Sequence, residues 1–350
     1  MRVNLSDLGM STSWNGAGTD DGRRIVDEIA ALGFDRIEVE YRVSEKAIPG
    51  IEEALCAGRI TVSSVHNFAP LPASGKPSNW GGDTLSLSSP DEQERREAVK
   101  LTLRSLDLAR GLGARALVLH MGEVDTGRGF FKELAETVEA EGVASGGAVR
   151  IRGEVTRARD SRKAPFLESA VTSLKELLAR SEGSGVTICI ENRYFHNQIP
   201  LPDEVVDIKR EIPSPALRYW HDLGHAHVEE VLGFSSHLQV VDLLRDQIFG
   251  LHIHDSVFVR DHKAPGTGEI DFKSVLARIP ASVIKVLELA SSVPADEVRH
   301  RLPRVSVTPH LIMSVLEILP ECCTEVTPTD GVMSMVSGKN RGEHRGTERT

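Results

Sequence analysis

Six apolar runs in this 350-residue chain end on a side chain able to bind a metal ion or move a proton. VTICIE closes on Glu191, and LRYWHD closes on Asp222 with His225 three residues later. FGLHIH ends on His252 and His254, and VIKVLE ends on Glu288. ITVSSVH and ARALVLH close on His66 and His120. Carboxylates mixed with imidazoles suit a hard or borderline divalent cation: Mn²⁺, Zn²⁺, Mg²⁺ or Co²⁺. The same carboxylates can take and return protons. Buried carboxylates are costly in a core unless paired, so six such endings point to chemistry rather than packing.

Runs of this kind need a scaffold that brings their ends together. Short strand patterns alternate with longer helical ones along the chain, the arrangement of a parallel sheet. Strands are predicted near 2–8, 35–40, 60–66, 114–120, 186–191, 216–222, 248–254 and 283–288. Helices are predicted at 20–33, 45–58, 90–112, 164–183, 202–212, 237–246, 271–278 and 294–302. Eight strands of this kind predict an α/β fold, a closed (β/α)8 barrel, whose ligands gather at the carboxyl ends of the strands. The third helix carries the clearest start, with Ser89 as cap, Pro90 at the first helical position and Glu92 closing a capping box.

Strand parity orders these residues. Alternate residues face opposite sides, so Leu251 and Ile253 belong on the helix side while Gly250, His252 and His254 face the interior. The same count sends Thr187, Cys189 and Glu191 inward, along with His66, His120, Asp222 and Glu288. Trp220 lies beneath Asp222, and Glu38 and Glu40 end the second strand facing in. Which of His252 and His254 is the ligand is open on parity alone. Asp222 has a second reading as the N-cap of a following turn.

Three segments depart from a minimal barrel. Residues 141–163 are Gly-rich, then basic, and read as a long loop insertion after the fourth strand. Residues 307–319 read as an extra helix, within a barrel domain spanning 1–320, and 321–350 as a disordered tail. The net charge of −10 leans away from a nucleic-acid partner, though Arg150, Arg152, Arg157, Arg159, Arg162 and Lys163 form a local basic stretch. The first residues lack a signal-peptide layout, no apolar run is long enough for a membrane span, and four cysteines show no disulfide framework. A cytoplasmic protein with thiols follows as the expectation, and self-association stays open.

Five motifs in order resemble the xylose isomerase-like TIM-barrel superfamily across roughly residues 1–300. They are Glu191-Asn192-Arg193, Asp222-Leu223-Gly224-His225, His252-Ile253-His254-Asp255, the stretch from His262 to Asp271, and Leu287-Glu288. The resemblance implies one metal held by Glu191, Asp222, His252 and Glu288, as in the sugar isomerases and epimerases of that group. In its endonuclease IV-type branch, further zinc ligands match His66, His120, His225 and His262. That branch expects an aspartate two residues before the last histidine, where this chain has Arg260, with Asp261 adjacent.

The resemblance implies a metal-dependent isomerase or epimerase of a small sugar or polyol-type carbonyl compound, with Glu191 and Glu288 as proton acceptor and donor, or with a hydride shift. The alternative is a zinc phosphodiesterase acting on abasic DNA. His66, His120, His225, His262, His254, His196 and Arg193 are then second-metal or substrate contacts, His196 from the loop after the fifth strand.

Overall fold

The computed structural model describes residues 8–72 and 81–301. Eight parallel strands close into a barrel: β1 (Leu8–Ser11), β2 (Arg36–Val39), β3 (Thr61–His66), β4 (Ala116–Leu119), β5 (Thr187–Glu191), β6 (Leu217–Asp222), β7 (Ile248–Ile253) and, last in the chain, β10 (Ile284–Leu287). The order around it is β1-β10-β7-β6-β5-β4-β3-β2. Between β7 and β10, β8 (Asp255–Val257) and β9 (Arg260–Lys263) form a small antiparallel hairpin.

The helices are α1 (Gly22–Ala31), α2 (Ile48–Cys56), α3 (Glu92–Gly111), α4 (Phe131–Glu141), α5 (Gly146–Asp160), α6 (Lys163–Ser181), α7 (Pro202–Glu211), α8 (Leu223–Val231), α9 (His237–Leu244), α10 (Phe272–Leu276) and α11 (Ala295–Arg301). Strand parity divides the core in two. Outward residues such as Leu117, Ile188, Leu251 and Leu287 join the helix layer. Ala116, Val118, Cys189, Trp220, Ile284 and Val286 fill the interior below the strand ends. Trp220 is fully buried there, and a Cβ at Gly250 would stand 2.0 Å from its ring, so only glycine lets β7 pass.

Several expectations are corrected. The first strand expected at 2–8 lies outside the described residues except for Leu8; β1 runs Leu8–Ser11, paired with Lys285–Leu287 on one side and Ile37–Glu38 on the other. Its four residues are too few to show a period. α3 is capped by Asp91, whose carboxylate accepts from the Gln93 and Glu94 amides, while Ser89 receives the Asp91 amide. The 141–163 insertion is helical, not a loop. Ser145 caps α5, and Ala148, Ile151, Val155 and Arg159 form its buried stripe. Arg159 occupies an apolar position because Glu204 receives its guanidinium at 2.5 and 2.7 Å, which disguises the helical period. α4 and α8 were not anticipated either. The expected helix at 307–319 and the tail from 321 lie outside the described residues.

Most of the basic stretch has partners within the chain. Arg150 pairs with Glu154, Arg152 donates to the Val143 and Leu232 carbonyls, and Arg162 to the Asp125 carbonyl. Among the described residues no helix is long and apolar enough to cross a membrane.

Candidate metal centre

Asp222 and His252 are register partners on neighbouring strands β6 and β7, and Glu191 and Glu288 arrive from β5 and β10 on either side. All four are buried, and one ligand atom from each fits within a sphere of contacts no wider than 4.8 Å. His252 Nδ1 is the focus: Glu191 Oε1 lies 2.8 Å away, Glu288 Oε2 3.1 Å and Asp222 Oδ2 3.7 Å. Its other nitrogen, Nε2, sits 3.1 Å from both oxygens of Glu38, which Ser64 Oγ holds from behind at 2.7 Å. An imidazole backed by a carboxylate and aimed at three more is a common way to fix the tautomer of a metal-binding histidine.

Electrostatics describe the same centre. Burial disfavours the His252 imidazolium, but Glu288, Glu38 and Glu191 outweigh it and hold the group well above its ordinary range. Burial likewise works against ionised Glu191 and Glu288, and the surrounding histidines more than offset it, keeping both well below the usual carboxylate range. Four carboxylates around one imidazole offer the mixed oxygen and nitrogen donors that a hard or borderline cation takes. The donor set of Glu191, Asp222, His252 and Glu288, with its ligand atoms within 4.8 Å of one another, fits a divalent ion.

A second cluster touches the first through Glu191. Its Oε2 lies 3.1 Å from Nε2 of both His66 and His120. Here a permanent cation is already present. Arg193 directs Nη1 at His120 Nε2 and donates from Nη2 to Asp83 at 2.9 Å, while Asp83 also faces His120 Nδ1 at 3.2 Å. The guanidinium keeps its charge at any working pH and disfavours a second cation beside it.

The third group, His225, His254 and His262, lies on the other side of Asp222. Asp222 is both N-cap and centre residue: Oδ1 accepts the His225 amide at 2.7 Å, while Oδ2 faces the centre. His254 Nε2 meets Oδ2 at 2.9 Å and His254 Nδ1 accepts the His262 amide at 2.9 Å, so both ring nitrogens are engaged. His254 therefore orients Asp222, and His252 takes the inner position. A Cβ at Gly224 would meet the His254 ring at 2.0 Å, which explains the glycine in Asp222-Leu223-Gly224-His225. His225 Nδ1 faces the Asn192 carbonyl at 3.0 Å, leaving Nε2 toward Asp261 Oδ2 at 3.7 Å.

The structure thus gathers Glu191, Asp222, His252, Glu288, His66, His120, His225, His254, His262 and Arg193 at one mouth. His196 stands apart from these clusters, paired with Glu229 at 3.2 Å and stacked on Phe234. Sequence reading passed over Asp83, Asp255 and the role of Asn192. Asn192 extends the pairing of β5 with β6 by side chain, accepting the Asp222 amide at 2.7 Å and donating to its carbonyl at 2.9 Å. Asp255 accepts backbone amides of Ser256, Ile270, Gly266 and Gly268, tying down the loop that follows β9, the strand that carries Asp261 and His262. His262 has φ 56, a backbone conformation rare outside glycine, and its amide donates to His254 Nδ1. The run of glycines and turn residues after Asp255 was the available signal.

The sequence matches no curated protein. Among solved structures, a D-tagatose 3-epimerase-like protein superposes with a TM-score of 0.61 at 20% identity, covering 89% of this chain and 98% of that one. The E. coli 3-keto-D-glucoside 4-epimerase YcjR gives 0.59 at 18% identity, covering 84% and 97%. The IolI protein with a bound zinc atom gives 0.60 at 15%, covering 87% and 99%. At these identities the likeness establishes the fold. The family profile described as xylose isomerase-like TIM barrel matches residues 26–298, and the chain belongs to that family.

Proposed function

We propose that this protein is a divalent-metal-dependent isomerase or epimerase of a small polyhydroxylated carbonyl compound of sugar type. One observation carries the reading: carboxylates from β5 and β10 converge on a single imidazole nitrogen together with Asp222. Glu191, Asp222, His252 and Glu288 would hold the ion. When bound, it supplies Lewis acidity that polarises a carbonyl and steadies negative charge on its oxygen. Glu191 and Glu288 reach the mouth from different strands, and one would take the proton from the carbon beside the carbonyl while the other returns it. Sugar epimerases among the similar folds, and the zinc atom bound by the IolI protein, support the reading.

The clusters at His66/His120/Glu191 and His225/His254/His262 favour a second reading, hydrolysis of a phosphodiester with two or three zinc ions. Against it stand Arg193 on His120 and the doubly engaged His254. Elemental analysis of the purified full chain, combined with deuterium exchange on a panel of ketoses and keto-sugars followed by NMR, separates the two. The expected result is about one metal per chain and deuterium at a carbon next to a carbonyl. Two or three zinc ions with cleavage of abasic DNA, and no exchange, would overturn the proposal.

A further inference from the structure

A cavity of about 610 Å³ opens between the α4–α5 insertion and the loops that follow β4 and β5. It belongs to none of the three ligand clusters, yet its volume falls in the range of small-molecule sites, ~300–1,000 Å³. Its walls are flat rings: Phe130, Phe131, Phe166, Phe195 and Phe234 line it, half of the chain's ten phenylalanines. Phe131 meets Phe195 edge-on at 4.5 Å, and the His196 ring lies parallel to Phe234 at 3.9 Å. Such walls suit a planar aromatic guest.

Charge narrows the guest further. The cations along the lining are committed: Arg128 is paired with Glu133 and Glu154, and His196 with Glu229. Glu123, Glu94 and Asp125 add acid, so an anion finds no counter-charge. His196 Nε2, loosely met by Thr156 Oγ1 at 3.5 Å, offers a polar contact.

The cavity borders the centre. Tyr194 packs against His225 at 5.1 Å on one side and against Phe195 at 4.2 Å and Phe131 at 5.9 Å on the other. Phe195 is four residues beyond Glu191, and Glu123 three beyond His120. We infer that the cavity is a second subsite for a neutral aryl group attached to the sugar, with Tyr194 as the partition between the two halves of the substrate. This inference rests on the sugar-active reading and adds the class of substrate: an aryl-substituted sugar rather than a free one.

The test uses the zinc-loaded full chain and reads binding, not turnover. 4-Fluorophenol is titrated by ¹⁹F NMR, followed by a panel of 4-fluorophenyl and methyl hexosides by calorimetry. Two variants accompany the wild type. Gly129→Trp adds bulk at a lining position where a new Cβ meets no atom within 4 Å, and Phe166→Ala removes one ring. Expected are 4-fluorophenol binding weakened at least tenfold by Gly129→Trp and severalfold by Phe166→Ala, and at least one aryl hexoside binding tenfold or more above both 4-fluorophenol and its methyl counterpart. No binding of 4-fluorophenol, or binding indifferent to both variants, overturns the aryl cavity. Binding of 4-fluorophenol that no hexoside exceeds overturns the subsite while leaving the sugar reading to be judged by deuterium exchange.

Discussion

Buried histidines sit on both faces of this barrel wall and behave in opposite ways. His252 and His66 face inward, where glutamates outweigh burial and raise both imidazoles above their ordinary range. His221 and His237 lie outside the wall. Tyr219 Oη meets His221 Nδ1 at 3.1 Å, and the two imidazoles meet through their Nε2 atoms at 2.9 Å. Burial lowers both, His221 to about 4 and His237 well below 6.5. His221 and Asp222 are adjacent in sequence and take opposite faces of β6. Burial is shared by the two groups. Carboxylates placed by strand parity make one of them a cation trap and leave the other neutral packing.

The contrast can be broken from the inside first. Glu191→Gln or Glu288→Gln is expected to lower turnover by at least ~10³-fold, the scale of losing a general acid or base, with the circular dichroism spectrum unchanged. Near-normal turnover in Glu191→Gln would remove the proton-transfer role.

A smaller effect is expected one shell out. Glu38→Gln leaves His252 Nε2 a weaker partner, and metal affinity measured by competition with a chelator should fall about 10–100-fold. An unchanged affinity would mean that packing alone orients the imidazole.

The outer pair supplies the smallest change and sharpens the comparison. A histidine held neutral by burial costs stability as pH falls below its unfolded value of ~6.5, because the unfolded chain takes up a proton that the folded one refuses until its own lower value is reached. His237→Gln removes one such group. Its loss of stability between pH 7 and 5, followed by urea unfolding, should be smaller than that of the wild type by on the order of 1 kcal/mol. A parallel pH dependence would show that His237 is protonated in the fold.

Much of this was legible because parity is a strict rule. Glu191, Asp222, His252 and Glu288 each end an apolar run, and the alternation behind them announces which way they point. The choice between His252 and His254 was not legible from parity, which both share; the family resemblance named His252, and in the fold the hydrogen bonds made by Asp222 and the His262 amide occupy His254. α5 stayed hidden because Arg159 takes a buried position through Glu204, a partner 45 residues away. Asp83 belongs to the centre through Arg193 and His120, contacts across 110 and 37 positions of sequence that no local pattern records.

Trp220 gives the centre a floor. Its ring touches the His252 ring edge-on at 5.2 Å from below, and Gly250 is the concession that lets it lie there. The vessel is therefore blind-ended. Among the described residues the interior below is filled by Ala116, Val118, Cys189, Trp220, Ile284 and Val286, so the ligand atoms are approached from the side of the strand ends, past the histidines and Arg193.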